Sequence, residues 1–244
     1  MEGKNILLFV IIVILIVVVT QYIIKDVNTL SELTSGKTMQ KIEATELATS
    51  SSSGNTSNFT YSIWFFIDDW NYRYGEAKVI FGRMTSGSGD REPCPSVVLG
   101  PIVNNITVSL AVFPGLDEVP ESGDNFIVHN CPVANVPIQR WCNIFISVYG
   151  RTLDLYLDGK LVRTCVLPGV ANIDSDAPVY VTPMGGFSGW TSRFQYWPDS
   201  SDPQKAWNIY KAGYGGSLLG SLFGKYTVKI SLMEGDTEES SWSL

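Results

Sequence analysis

The sequence predicts an all-β protein, an antiparallel β-sandwich preceded by one transmembrane α-helix. Three observations lead to this fold class. The chain of 244 residues opens with a long apolar run, which is typical of a membrane anchor. The remainder contains 22 Gly, 12 Pro and 12% aromatic residues but only 17% charged residues, a composition that favours short strands joined by tight turns. Between residues 141 and 162, apolar and polar residues alternate around two turn signals, which indicates a β-meander.

The apolar run is the predicted anchor, assigned to residues 1–25. It is apolar almost throughout from Ile6 to Ile24 and is bracketed by Lys4 and Lys25. About twenty residues at roughly 1.5 Å each span a hydrocarbon core, and a lone strand in lipid would leave backbone polar groups unsatisfied, so a helix is expected. A cleaved signal peptide is the alternative, but the run is long and no small-residue cleavage site follows it. We therefore expect a single-pass membrane protein that contacts lipid from Ile6 to Ile24, with its large domain on the side away from a short cytosolic tail.

Residues 26–58 form a predicted stalk. They are polar and rich in Ser and Thr, although residues 37–47 are apolar enough to supply a first edge strand. N-x-S/T triplets begin at Asn55, Asn58 and Asn105. They are glycosylation candidates if the domain meets a glycosylation machinery.

The predicted sandwich covers residues 59–233, and an acidic tail at residues 234–244 follows it. The segment that starts at Phe59 alternates between apolar and polar residues and then becomes wholly apolar, as in a strand that enters a buried sheet. In the meander, Gly150-Arg151 and Asp158-Gly159 are the predicted turns, and Asp-Gly suits a type I′ turn. The sequence predicts strands at residues 59–67, 77–83, 96–100, 106–113, 126–129, 143–149, 153–157, 160–166, 179–182, 190–197 and 225–233.

One short helix is predicted at residues 203–212. Asp202 precedes it as an N-cap, Pro occupies its first position, and Gly213 suits the position after its end. Trp207 and Tyr210 are three residues apart, so they are expected on one helix face, turned towards the sandwich.

The net charge and the cysteine spacing limit the classes of binding partner, metal site and disulfide that the sequence can support. The net charge is −7 and Lys and Arg form no run, which argues against a nucleic-acid partner because phosphate contact needs a basic patch. The four cysteines have no CxxC spacing, which argues against zinc. Two hairpins place Cys142 and Cys165 at different heights on the sheet, which argues against that pair. The sequence does not determine the connectivity, and Cys131 with Cys165 is the candidate disulfide. Buried free thiols remain the alternative.

Several aromatic and glycine-rich segments follow one another in a particular order. They are Phe59-Thr60-Tyr61-Ser62-Ile63-Trp64, Trp141, the meander at residues 149–162, Gly185-Gly186-Phe187-Ser188-Gly189, Phe194-Gln195-Tyr196-Trp197 and the helix at residues 203–212. This order resembles the laminin G-like, or concanavalin A-like, jelly-roll family over roughly residues 59–213. The resemblance implies an antiparallel jelly-roll β-sandwich.

The chain departs from that family at two motifs. The family's closing strand commonly carries an acidic residue after an apolar one, whereas residues 189–194 read Gly-Trp-Thr-Ser-Arg-Phe. The family's calcium site is therefore not implied. The glucanase members carry an E-x-D-x-E cluster, which this chain lacks, so glycosidase activity is not implied either.

The overall plan of anchor, stalk, sandwich and Gly-rich segment at residues 213–224 is also similar to virion membrane or minor capsid proteins of large DNA viruses. That resemblance implies an internal virion membrane as the location and capsid proteins as partners.

No residue pattern predicts catalysis, and no enzyme activity or cofactor is expected. A Ser-His-acid triad would need His129, the only histidine, and no G-x-S-x-G elbow is present. Calcium has weak candidates in Asp68-Asp69, Asp117-Glu118 and Asp174-Ser175-Asp176, because Ca²⁺ takes several oxygen ligands. None of these segments forms a glycine-punctuated ligand loop.

Two aromatic clusters are the candidate binding surface. Exposed Trp and Tyr rings stack on sugars or anchor protein interfaces, although aromatic residues in a sandwich also serve as core packing. The first hypothesis is a structural or adhesive protein that contacts another protein, and the alternative is a membrane-tethered lectin that binds surface glycans. The candidate residues are Trp70, Tyr72, Tyr74, Trp190, Tyr196 and Trp197.

Overall fold

The computed structural model describes residues 12, 13, 15, 28–47, 57–84, 92–115, 120, 125–215, 229–234 and 237–243. Fifteen strands, one 3₁₀ turn (Ala44–Glu46) and helix α1 (Pro203–Ala212) are found there. The strands are β1 Thr29–Ser31, β2 Thr34–Ser35, β3 Gln40–Ile42, β4 Phe59–Asp69, β5 Lys78–Arg83, β6 Ser96–Leu99, β7 Ile106–Val112, β8 Ile127–Val133, β9 Trp141–Tyr149, β10 Thr152–Leu157, β11 Lys160–Val166, β12 Val179–Val181, β13 Ser188–Trp197, β14 Lys229–Glu234 and β15 Thr237–Ser243.

Two antiparallel sheets form the sandwich. The larger sheet has the order β1-β13-β4-β9-β10-β11, with β2 also paired to β13, and the smaller has the order β3-β12-β5-β6-β7-β8. Neighbours such as β13 and β4 are far apart in sequence, so the fold is a crossed-over sandwich and not a simple meander. The predicted all-β antiparallel sandwich is therefore confirmed.

The core lies between the sheets because alternate residues of each strand point inwards. In β4 the inward residues are Phe59, Tyr61, Ile63, Phe65 and Ile67, each at most 2% exposed. The intervening residues of β4 belong to the outer face of the larger sheet.

The meander has the predicted turns. Strands β9 and β10 meet at Gly150-Arg151, and β10 and β11 meet at Asp158-Gly159. Asp158 and Gly159 have φ angles of 52° and 73°, as a type I′ turn requires.

Cys131 and Cys165, the candidate pair, form a disulfide. It joins β8 to β11, which are the last strands of the two sheets on the same side of the sandwich. Cys94 and Cys142 are buried free thiols. Both expected states of the cysteines therefore occur, a disulfide for one pair and buried free thiols for the other.

The sandwich begins before Phe59. Strands β1 and β2 pair with β13, and β3 pairs with β12 at the edge of the smaller sheet. The edge strand expected within residues 37–47 is β3, but the predicted stalk also contributes β1 and β2 to the other sheet. Their short length and polar sequences gave no strand signal.

Helix α1 has the predicted bounds and caps. The Asp202 side chain accepts a hydrogen bond from the Lys205 backbone N–H at 2.7 Å. Tyr210 faces the sandwich as predicted, with its ring stacked on Trp64 of β4 at 5.8 Å. The predicted face was wrong in part, because Ala206 and Ile209 are the buried residues of the helix. Trp207 is 38% exposed.

In the described part of the chain, no helix has both the length and the apolar character needed to cross a membrane. The predicted anchor from Ile6 to Ile24 lies outside that part, except for Ile12, Val13 and Leu15, which are helical. The predicted strand at residues 225–233 corresponds to β14, which pairs with β15 in a two-stranded sheet of their own and not with a sandwich strand.

Candidate binding surface

Tyr196 belongs to the core. Its ring is 8% exposed and lies 4.9 Å from that of Tyr61 between the two sheets. Burial raises the pKa of the Tyr196 hydroxyl. The assignment of Tyr196 to a binding surface was therefore wrong.

Trp197 lies beneath helix α1, where it packs against a small cluster that includes Phe145 and Ile209. Its ring centroid is 6.2 Å from that of Phe145, and the Lys205 ammonium sits 4.0 Å from the Trp197 centroid. These contacts make Trp197 a docking residue for the helix, since a cation over an indole face stabilises the pair.

The loop after β4 holds Trp70 and Tyr72 in structural contacts. Trp70 Nε1 donates a hydrogen bond to the Ile102 carbonyl at 3.0 Å. The Tyr72 hydroxyl donates to the Gly185 carbonyl at 3.1 Å, and the Lys37 ammonium lies 4.7 Å from the Tyr72 ring centroid. Both rings therefore connect loops of the sandwich.

Tyr74, at 59% exposed, is the only residue of this loop's aromatic trio with most of its ring in solvent. The loop is anchored by Arg73, whose guanidinium donates to the carbonyls of Met184 and Gly186 and pairs with Glu76 at 2.7 Å. The three aromatic residues do not form one continuous surface.

Lys78 lies behind this loop and is 1% exposed, with its ammonium 4.9 Å from the Trp70 ring centroid. Burial lowers the pKa of Lys78, and the Arg73 charge lowers it further. The indole face is the contact that offsets the lost hydration.

Trp190 is, with Tyr74, one of the two predicted residues that lie on an open surface, with 49% of its area exposed. It pairs with Phe66 of β4, which pairs in turn with Trp141 of β9. The Phe66 and Trp141 ring centroids are 5.8 Å apart. Because these residues are directly opposite each other on three neighbouring strands, they form a line across the outer face of the larger sheet.

Tyr214, just after α1, extends this line. Its ring is stacked on Trp141 with a centroid distance of 4.5 Å and an interplanar angle of 9°. The Ser192 hydroxyl donates to the Tyr214 carbonyl at 2.8 Å, which fixes the segment on β13. Trp190, Phe66, Trp141 and Tyr214 are called the aromatic row below.

Polar groups flank the aromatic row. Arg140, next to Trp141, forms an ion pair with Asp158, whose other carboxylate oxygen accepts from the Asn143 backbone N–H at 2.9 Å. Asp68 is exposed and, two residues after Phe66, shares its face of β4. The surface therefore combines apolar ring faces with charged hydrogen-bonding groups at one end.

Sequence reasoning missed Phe66, Trp141 and Tyr214 as surface residues. Phe66 stands in a wholly apolar run that hides its alternation, and Trp141 precedes the strand predicted at residues 143–149. Residues 64 and 66 are both aromatic and are two residues apart, so they lie on the same face of the strand, opposite the face of residues 63 and 65. This spacing could have indicated an aromatic outer face.

The remaining candidates have local roles. Asn58 Oδ1 accepts a hydrogen bond from the Gly150 N–H at 2.8 Å, Asn105 is half-buried, and Asn55 lies outside the described residues. Among the described residues, no group of three or more His, Cys, Asp or Glu side chains is placed to hold a metal ion. Asp117-Glu118 lies outside them.

No protein-family model matches the chain, and no curated protein matches its sequence. Solved structures with a similar fold do exist. The receptor-binding domain of botulinum neurotoxin D matches with a TM-score of 0.50 at 12% identity, over 75% of this chain and 48% of that one. A second structure, of the botulinum neurotoxin serotype D binding domain, also has a TM-score of 0.50 at 12% identity, over 75% and 46%.

The chain thus spans about half the length of these toxin domains. At this identity the likeness shows the fold alone, a β-sandwich of the jelly-roll type.

Proposed function

We propose that this protein is a membrane-anchored structural or adhesive protein whose β-sandwich binds another protein through the aromatic row. The observation that carries the proposal is the line of Trp190, Phe66, Trp141 and Tyr214 across the outer face of the larger sheet. Trp and Tyr are favoured in the centres of protein interfaces because each contributes a large apolar area with few rotatable bonds. About half of Trp190 is exposed, so that area is available for binding.

The fold comparison supports a binding role. The toxin domains that share the sandwich are described as receptor-binding domains. In this proposal the chain has a comparable role as a recognition module, without implying the same receptor.

The anchor places the module. The apolar run from Ile6 to Ile24 contacts membrane lipid as a single-pass helix, and the sandwich projects away from the bilayer. The similarity to virion membrane and minor capsid proteins makes a capsid protein the partner to test first. The proposed function involves no enzyme activity and no cofactor.

Site-specific photo-crosslinking tests the protein-binding proposal. The full-length chain is expressed with a photoreactive phenylalanine analogue in place of Trp190 or, as a matched control, in place of Tyr149, which is 68% exposed at the end of β9. The proposal expects one discrete crosslinked protein from position 190 that is absent at position 149. Equal products from both positions, or none from position 190, contradict the proposal.

The second candidate function is a membrane-tethered lectin. It is favoured by the stacked rings of Trp141 and Tyr214, on the same sheet as Asp68 and the Arg140–Asp158 pair, because sugars combine apolar ring faces with hydroxyl groups. The full-length protein in detergent is applied to a broad glycan array with and without calcium. Saturable binding that Trp190→Ala abolishes and Tyr149→Ala leaves intact would establish the lectin, whereas no binding to any glycan removes this candidate.

A further inference from the structure

Strand β11 leaves an unpaired edge in the larger sheet. The order of that sheet ends with β11, which pairs only with β10 within the described sheets. The strand is held in place on its inner side by the Cys131–Cys165 disulfide to β8. Arg163 also donates a hydrogen bond to the Pro132 carbonyl at 3.0 Å. The position of β11 is therefore fixed by these contacts, and its outer edge can form backbone hydrogen bonds with an added strand.

The register shows which backbone groups of β11 face outwards. Leu167 N–H donates to the Arg151 carbonyl at 2.8 Å, and the regular pairing continues from Val166 to Arg163. Alternate residues of an antiparallel strand bond to opposite neighbours. The peptide groups of Thr164 and Val166 thus point away from β10, where an added strand can bond to them.

The side chains at this edge are unusual for an exposed strand. Leu161, Val162 and Val166 are 53%, 46% and 73% exposed, so burying them would stabilise a complex. Lys160 and Arg163 are also exposed, in a chain whose net charge is −7. The edge combines apolar area with local positive charge, which fits an acidic extended segment.

The chain itself carries such a segment. Strand β15 has the same length as β11, seven residues, and contains Glu238 and Glu239. Among the residues that the structure describes, it pairs with β14 alone, in a two-stranded sheet that joins neither sheet of the sandwich. A two-stranded hairpin alone is marginally stable in water, so it gains by joining a larger sheet.

We propose that β15 of a second copy of this chain adds to the β11 edge, and that the exchange is reciprocal in a symmetric dimer. Backbone hydrogen bonds to Thr164 and Val166 supply the strand pairing. The β15 sequence carries two acidic residues, Glu238 and Glu239, whose charge is opposite to that of Lys160 and Arg163. A second copy's β11 is a poorer occupant because it would bring like charges together.

Charge reversal tests the proposal on full-length protein in detergent, with protein mass measured by sedimentation equilibrium. The wild type is expected to dimerise. Lys160→Glu/Arg163→Glu and Glu238→Lys/Glu239→Lys are each expected to dissociate at roughly tenfold lower affinity or worse, because each places like charges at the interface. An equal mixture of the two variants restores complementary charges at both contacts, so it is expected to recover the dimer.

A backbone variant separates strand addition from general charge effects. Val166→Pro removes an outward N–H without removing a hydrogen bond to β10, so it should weaken the dimer while the thermal unfolding midpoint stays close to that of the wild type. A monomeric wild type at high micromolar concentration overturns the proposal. So does a dimer that all these variants leave unchanged, since the anchor alone would then hold it together.

Discussion

Removing the Cys131–Cys165 disulfide is expected to lower the stability of the sandwich substantially. The bond closes a loop with a sequence separation of 34 residues between β8 and β11. In the chain-entropy treatment, a loop of about that size restricts the unfolded chain by about 13 cal/mol/K, or about 4 kcal/mol at 25 °C. The variant Cys131→Ala/Cys165→Ala should therefore lower the free energy of unfolding by about 3–4 kcal/mol.

Urea unfolding followed by tryptophan fluorescence measures this loss. The wild type is compared with the double variant, each with and without a reducing agent. The reduced wild type should unfold at the same denaturant concentration as the double variant, and reductant should leave the double variant unchanged. A loss of less than about 1 kcal/mol in the double variant would contradict this expectation, because the loop would then already be restricted in the unfolded chain.

Three further outcomes are expected. Gly189→Ala should destabilise the protein by several kcal/mol in thermal unfolding, roughly the scale of severe backbone clashes, because an added Cβ would meet the Phe66 carbonyl oxygen at 1.8 Å. Gly150→Ala, whose Cβ meets nothing within 4 Å, should cost only about 1–2 kcal/mol for its positive φ; equal losses would contradict the clash. Asp202→Ala should lower the free energy of unfolding by about 1 kcal/mol through loss of the α1 cap, whereas Asp202→Asn should restore most of it. Burial raises the pKa of the Cys94 thiol to about 12, well above its ordinary value near 9. The contribution of this thiol to the free energy of unfolding should therefore be complete below pH 9 and should be lost between pH 9 and 12, as the thiol ionises in the unfolded chain. A Cys94→Ala variant that loses as much stability over this range would show that another group is responsible.

Elements decided by neighbouring residues were predicted well. The Asp158-Gly159 turn and the Asp202-capped helix depend on backbone preferences and hydrogen bonds within a few residues. Long alternating strands such as β4 were also predicted because alternation reports a buried face directly. Strands β1 and β2 were missed, since their three and two residues are held by pairing with β13 and not by any pattern of their own.

The binding surface was predicted less well for a related reason. The sequence places Trp190 and Tyr196 in one aromatic segment, but a bulge in β13 between Ser192 and Gln195 changes which residues face outwards. Trp190 remains on the surface and Tyr196 enters the core. A bulge of this kind is set by pairing with β4 and leaves no sign in local composition.

The sequence by itself determined the all-β class, the meander with its turns and the capped helix, and it predicts the anchor from Ile6 to Ile24. Only the tertiary structure decided that Trp190, Phe66 and Trp141 form a line and that β11 is left as an unpaired edge. The reason is physical. Turns, caps and alternation arise from interactions between residues close in sequence, whereas a surface shared by β13, β4 and β9 exists only once long-range pairing has set their order and register.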